Sequence, residues 1–395
     1  MRQRTVLRGV IGVLTGLSTV LALTGAAVAA PTSGTQPVTA GNSTSPWKIQ
    51  KTPKPKDSFG SALSDVSCVS ARSCVAVGAY ENSEGFDRTL AEVWNGTTWK
   101  IEKPPNPAGS ISSTLSGVSC TSTARRITCT TVGNYESTSR ELTLAEVWNG
   151  AIWRIEKTPS PKGSAGSAFD SVSCTVTSIC TAVGYYDHSY QLVLVEVRNG
   201  ATWKIRKAPT PTVSGESGGD LSSVSCRSAS ACAAVGYSGV LNTSFSEVWD
   251  GRTWTIRHIP NPQEIGASNL YGVSCVSSTS CTAVGSFLNS AFINTTLAEV
   301  WNGAHWKIEK TPNPPRREIS QLLGVSCIRR ACTAIGYSEA SWATLAEVWN
   351  GSTWKLQTIP NQTNQIDKLT GVSCTSATTC TAVGSSLSGA FVEAK

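Results

Sequence analysis

The chain has 395 residues, 40% of them hydrophobic and 15% charged, with a formal charge of +7 and fourteen cysteines. Arg2, Arg4 and Arg8 supply three of those charges, and the +4 left without them is too small for a nucleic-acid footprint. So many cysteines belong to an oxidising compartment rather than a reducing one.

Residues 1–29 read as a secretory signal. The three arginines form a positive n-region, an apolar stretch follows, and Ala27-Val28-Ala29 makes a small-residue cleavage site. With that segment removed no membrane span is expected, and no cysteine stands at the cleavage point to carry a lipid. Residues 30–46, rich in Thr, Ser, Gly and Pro, read as a flexible lead. Residues 47–395 hold the folded domain.

Its first strand-like segment, Trp47 to Pro53, recurs six times downstream as the closing piece of a longer unit. Aligned on Cys68, Cys120, Cys174, Cys226, Cys275, Cys327 and Cys374, the units step by 52, 54, 52, 49, 52 and 47 residues. Such a period points to solenoids, propellers or arrays. The first full copy runs LSDVSC, CVAVGAY, TLAEVWNG and TTWKIEKPPNP, four stretches with apolar residues at period two. Gly78 breaks the period-two run of Val75 and Val77 within the second stretch. Asn95-Gly96 reads as the two-residue linker of a type I′ hairpin, because both residue types tolerate positive φ. The proline-rich tail of the fourth stretch cannot extend a ladder.

Four short antiparallel strands per unit predict an all-β fold, a closed seven-bladed β-propeller of four-stranded blades. A lone small sheet would bury too little core to stand by itself, and stacking sheets face to face removes that difficulty. The chain ends on Phe391 to Lys395, which matches only the third stretch. The Trp47 segment is therefore expected to supply the fourth strand of the last blade and close the ring. A monomer is expected.

The second cysteine of each unit follows closely, giving the pairs Cys68/Cys74, Cys120/Cys129, Cys174/Cys180, Cys226/Cys232, Cys275/Cys281, Cys327/Cys332 and Cys374/Cys380. Each pair closes the first hairpin of its blade, which sets the Cα atoms within bridging range, so seven local disulfides are expected. Each would close a loop of about seven residues, worth roughly 2 kcal/mol in chain entropy. Neither CxxC spacing nor clustered histidine argues for a metal, and neither metal nor cofactor is expected.

Residues found in every blade are expected to serve the blade. Glu92, Glu146, Glu196, Glu247, Glu299, Glu347 and Glu393 share one position in all seven units. They read as structural hydrogen-bond acceptors rather than catalytic acids. Tryptophan pairs such as Trp94/Trp99 read as packing that flanks the turn, and Arg198, replacing the first of the pair in blade 3, reads as a surface irregularity.

Antiparallel topology sets the cysteine and Asn-Gly hairpins on one face of the ring. The second-to-third and fourth-to-first connections fall on the other. These connections vary most, and variable loops on a rigid frame are where binding usually lives. Their Tyr80, Tyr135, Tyr186, Tyr190, Phe287 and Trp342, together with His188, form the candidate ligand-binding set. The competing reading is that Tyr80, Tyr135, Tyr186 and Phe287, each two residues after a blade's glycine, simply finish strand two. His188, Tyr190 and Trp342 break that register. No HExxH or phosphate-cradling glycine loop is present, and no catalytic residue is assigned.

The succession GVSC, C-TAVG, LAEVWNG and TPNP, as in Gly324 to Cys327, Cys332 to Gly336 and Leu345 to Trp354, resembles a repeat family of exported actinobacterial proteins. The resemblance covers residues 47–395 and implies a seven-bladed propeller outside the cell, with no activity or ligand attached. Blade 4 departs most, with TSFSEVWDG. The function expected is that of a secreted, disulfide-stapled binding platform for an extracellular protein or a cell-envelope glycan. The alternative is a glycan-active hydrolase or lyase, which would need unlike polar groups gathered at the axial opening of one face.

Overall fold

The structure, a computed structural model, describes residues 46–123, 126–262, 267–314, 319–339, 343–361 and 367–395. The expected signal, nearly all of the expected lead, and Trp342 lie outside the described residues. Within them every regular element is a β-strand, and no helix is long and apolar enough to cross a membrane.

Seven four-stranded antiparallel sheets form the ring. Blade 1 pairs Gly60–Ser70, Ser73–Glu81, Asp87–Trp94 and Trp99–Glu102 in that spatial order. The pattern repeats over 112–156, 166–205, 220–257, 268–309 and 320–357. The first strand of every blade packs against the first strands on both sides, so these seven surround the axis. In blade 7 the sheet Lys368–Ser376, Thr379–Ser386 and Gly389–Ala394 is completed by Lys48–Gln50. Lys48 pairs with Ala394, Ile49 with Glu393 and Gln50 with Val392, which closes the ring as expected. A small hairpin unforeseen in the sequence, Thr212–Val213 with Glu216–Ser217, decorates the link from blade 3 to blade 4.

The core lies between blades rather than within them. Val75, Val77 and Ala91 of blade 1, for example, pack with Leu115, Val118, Leu144 and Trp153 of blade 2. The expected disulfides all form: Cys68–Cys74, Cys120–Cys129, Cys174–Cys180, Cys226–Cys232, Cys275–Cys281, Cys327–Cys332 and Cys374–Cys380. Each joins residues directly opposed in the first hairpin, and no described cysteine is free.

Beside them runs a ring of hydrogen bonds. The VSC serine of each blade accepts the backbone N–H of the next blade's first cysteine: Ser67 from Cys120, Ser119 from Cys174, Ser173 from Cys226 and Ser225 from Cys275, at 2.9–3.0 Å. Ser274 takes Cys327, Ser326 takes Cys374, and Ser373 takes Cys68 across the seam, each at 3.0 Å. A side chain serves a neighbouring blade's strand here, which is why the serine never varies.

The cysteines do more than staple their hairpins. The second partners Cys74, Cys129, Cys180, Cys232, Cys281, Cys332 and Cys380 are all buried, none more than 6% exposed. They belong to the hydrophobic clusters between blades. The Cys180 and Cys380 sulfurs even lie 3.5 Å from the Thr130 and Thr333 hydroxyls of the preceding blades. The reason is register, because the second strand of each blade is sandwiched between its neighbours and its cysteine side chain points into that layer. Once bonded, the sulfurs are apolar core atoms as well as cross-links.

Gly78 interrupts the apolar alternation without ending its strand, which runs on to Glu81. The first strand bulges after Leu63, and the hairpin is pressed so close that a Cβ on Gly78 would collide with the Ala62 carbonyl oxygen. The same collision recurs at the matching glycine of every blade, so the glycine is required by the bulged inner strand.

One local expectation is corrected: the Asn-Gly turn is not a two-residue type I′ linker in blade 1. Trp94 and Trp99 face each other, leaving a four-residue loop, and only Gly96 has a positive φ, of 95°. Asn95 Oδ1 accepts the amides of Thr97 and Thr98 at 2.9 Å, so a side-chain cap folds the loop. Asp250 does the same in blade 4, at 2.8 Å from Arg252 and Thr253.

Candidate functional site

The seven repeated glutamates are fully buried, and none of their carboxyl oxygens has a hydrogen-bond partner among the described residues. Desolvation pushes each carboxyl up to about 8, so all seven stay protonated at neutral pH. Their role is structural, but as neutral acids between blades and not as hydrogen-bond acceptors. Arg198 is likewise no surface irregularity. It is 6% exposed and grips Glu156 of blade 2 with two bonds of 2.7 Å, while the Thr177 carbonyl accepts a third at 2.8 Å.

On the loop face, Tyr80, Tyr135, Tyr186 and Phe287 pack against the hydrophobic clusters between blades, where they finish the second strands. His188 and Tyr190 stand together at the exposed tip joining Ile179–Asp187 to Gln191–Asn199, the His188 amide donating to the Tyr190 carbonyl at 3.1 Å. The face therefore splits the described candidates into four partly buried aromatics packed against the layers between blades and one exposed corner.

What the structure gathers instead is a polar arc at the axial mouth of that face. Asp220 and Lys368 open first strands, and Asp170 and Tyr271 lie further along the first strands that begin at Gly166 and Ser268. Glu141, Tyr185, Tyr237 and Tyr337 reach the same end from second and third strands. Tyr185 donates to Glu141 at 3.2 Å, and the Asn134 amide donates to the other oxygen of that carboxylate at 2.6 Å. Burial, reinforced by the charges of Asp220 and Glu141, holds the Asp170 carboxyl well above the usual carboxylate range. Burial lifts Asp220 only to about 6, opposed by a hydrogen bond from Ser222. Tyr271 feels both Asp220 and Tyr237, and Tyr337 is pushed to about 12 by burial and then by Glu339 and Tyr271. Lys368 Nζ sits 5.1 Å from the Tyr337 ring centroid, a cation–π contact.

The arc therefore runs from carboxyls through tyrosines to one amine, and it breaks the sevenfold pattern that rules the rest of the ring. The signal was present in the sequence. The residue directly after each blade's glycine reads Ala79, Asn134, Tyr185, Tyr237, Ser286, Tyr337 and Ser385, a column with no scaffold consensus. The residue two after the glycine faces the core.

No protein-family model matches the chain, and no curated protein does. Solved structures similar in fold include YCF48 bound to a D1 peptide, with TM-score 0.54, 12% identity, and coverage of 88% of this chain and 96% of that one. YCF48 from Cyanidioschyzon merolae gives 0.52, 14%, 88% and 98%. The six-bladed fungal lectin of Aleuria aurantia gives 0.50, 11%, 78% and 100%. At these identities the likeness is one of fold.

Proposed function

We propose that the chain is an exported binding platform that grips an extracellular protein segment or an envelope glycan at the axial mouth of its loop face. The observation that carries this reading is the asymmetric mouth: Tyr185, Tyr237, Tyr271 and Tyr337 interleaved with Asp170 and Asp220, with Lys368 at the far end. Aromatic faces flanked by hydrogen-bonding groups suit sugar rings and extended peptides. His188 and Tyr190 add an exposed rim. Two neighbours in fold support binding, since YCF48 is seen with a D1 peptide and the Aleuria lectin is described with a fucose recognition mode. Export is supported by the seven disulfides and by the arginine-led apolar segment at the start of the sequence.

Residues 30–395, purified with disulfides intact, should bind saturably to at least one member of a glycan panel or an envelope-protein fraction. Tyr271→Ala and Tyr337→Ala should abolish that binding without lowering the unfolding temperature. Binding undiminished by both substitutions overturns the reading.

One observation favours the second reading, a glycan-active hydrolase. Asp170 and Asp220 sit in one opening with both carboxyls raised by burial, and a carboxyl that keeps its proton beside a second one can act as a proton donor. Release of reducing ends from envelope glycan, lost in Asp170→Asn, would favour it over simple binding.

A further inference from the structure

At the junction of blades 3 and 4, on the hairpin face, a groove of about 180 Å³ is lined by Ile179, Val197 and Arg206 of blade 3 and by Ala229, Trp249 and Trp254 of blade 4. At three other junctions, the indole N–H of a blade's second tryptophan is taken by the preceding blade. Trp99 donates to Gln50 at 2.7 Å, Trp203 to Glu156 at 2.9 Å and Trp47 to Gln357 at 2.8 Å. Each acceptor stands three residues after the tryptophan of its own fourth strand.

In blade 3 that position is Arg206, whose guanidinium can only donate. Trp254 is 6% exposed, yet its indole N–H has no partner among the described residues. Unlike the sealed N–H groups of Trp153, Trp306 and Trp354, it opens on the groove. Past Arg206 the groove continues along Thr202 and Lys204, so two exposed cations rim it and no carboxylate lines it.

We propose that this groove is a carboxylate-binding site. A ligand's carboxylate takes the place of the missing Gln or Glu, accepting from the Trp254 indole N–H and from the Arg206 guanidinium, while its carbon skeleton lies against Trp249. Arginine matches a carboxylate with two parallel bonds, which makes the pairing selective as well as favourable. The space admits one sugar-acid ring or one acidic side chain, so the ligand class is a small carboxylate. Its source is a uronic acid or a glutamate-like group.

The test follows the Trp254 indole N–H resonance of the full chain by NMR, assigned with Trp254→Phe, during titration with glucuronate and with N-acetylglutamate. Glucose and glucuronamide serve as uncharged counterparts. The resonance should move saturably with at least one carboxylate and respond about tenfold more weakly to the uncharged molecules. The tighter of the two carboxylates names the source. Arg206→Gln installs the residue that two other junctions use, so it should fill the donor internally, abolish the shift and leave the unfolding temperature intact. Silence toward both carboxylates, an equal response to glucose, or an undiminished shift in Arg206→Gln would each overturn the site. Tyr271→Ala and Tyr337→Ala should leave this titration unchanged, which keeps its outcome separate from that of the axial mouth.

Discussion

A glutamate that keeps its proton at neutral pH ties folding to acidity. Each of the seven is raised by burial from 4.5 to about 8, so between those values the folded chain holds protons that the unfolded chain releases. Their contribution is fully present below pH of about 4.5 and is lost as pH rises through about 8. The urea midpoint should therefore fall steadily from pH 5 to pH 9, and a midpoint that rises over that range would contradict the assignment. The lowered amine of Lys395 works in the opposite direction, but only above pH of about 8. Glu299→Gln removes one titrating group, so it should match the parent at pH 5 and exceed it by about 1–3 kcal/mol at pH 8.5. Glu156 makes a different case, a carboxylate gripped by the buried Arg198 guanidinium through two bonds of 2.7 Å. Glu156→Ala strands the Arg198 guanidinium, 6% exposed, and should cost about 3–5 kcal/mol in denaturant unfolding. Adding Arg198→Met should recover much of that loss, because the stranded charge is then gone.

At the scale of strands, the clasp rests on Trp47, which is 2% exposed and takes the place of a blade's second tryptophan. Lys395 stands in for the first, its Nζ 4.9 Å from the Trp47 ring centroid and 2.8 Å from Gln357 Oε1. Trp47→Ala should cost about 3–5 kcal/mol, as for a large buried aromatic. Proteolysis should then cut first within 46–53, and cleavage starting elsewhere would count against the clasp. Ser225→Ala, which orphans the Cys275 amide, should cost about 1–3 kcal/mol. The split of blade 7 was legible in the sequence because WKIQ and FVEAK are complementary fragments of one unit. So was the pairing of the cysteines, although their place in the layer between blades was not, because spacing fixes a partner and says nothing of what lies behind it. The bulge after Leu63 and the four-residue turn at Asn95 were also hidden, because glycine and asparagine serve several backbone geometries. The axial mouth was missed for a related reason. A strand's alternation decides which face a tyrosine takes, so Tyr186 went to the core and Tyr185 to the opening.

For the whole molecule, cohesion is distributed evenly. Each disulfide ties covalently only its own inner hairpin, while the serine bonds and apolar clusters join blade to blade. Replacing one pair, Cys275→Ala with Cys281→Ala, should therefore lower stability by about 2–4 kcal/mol without opening the ring. That range combines the lost chain constraint with the packing lost at buried sulfurs. Collapse of the whole fold on losing that one bridge would show that the staples carry more than their own hairpins.

Lys395 and Trp47 meet across the last sheet as a blade's own tryptophans do, with only the connecting turn absent. Bridging them with the Asn350–Thr353 sequence, and cutting the chain anew between Asn302 and Gly303, gives a circular permutant whose seam falls in blade 5. Because the Ser373–Cys68 bond across the present seam is as short as the others, that permutant should refold with all bridges correctly paired. It should also melt close to the parent, as befits a circle with no privileged starting point.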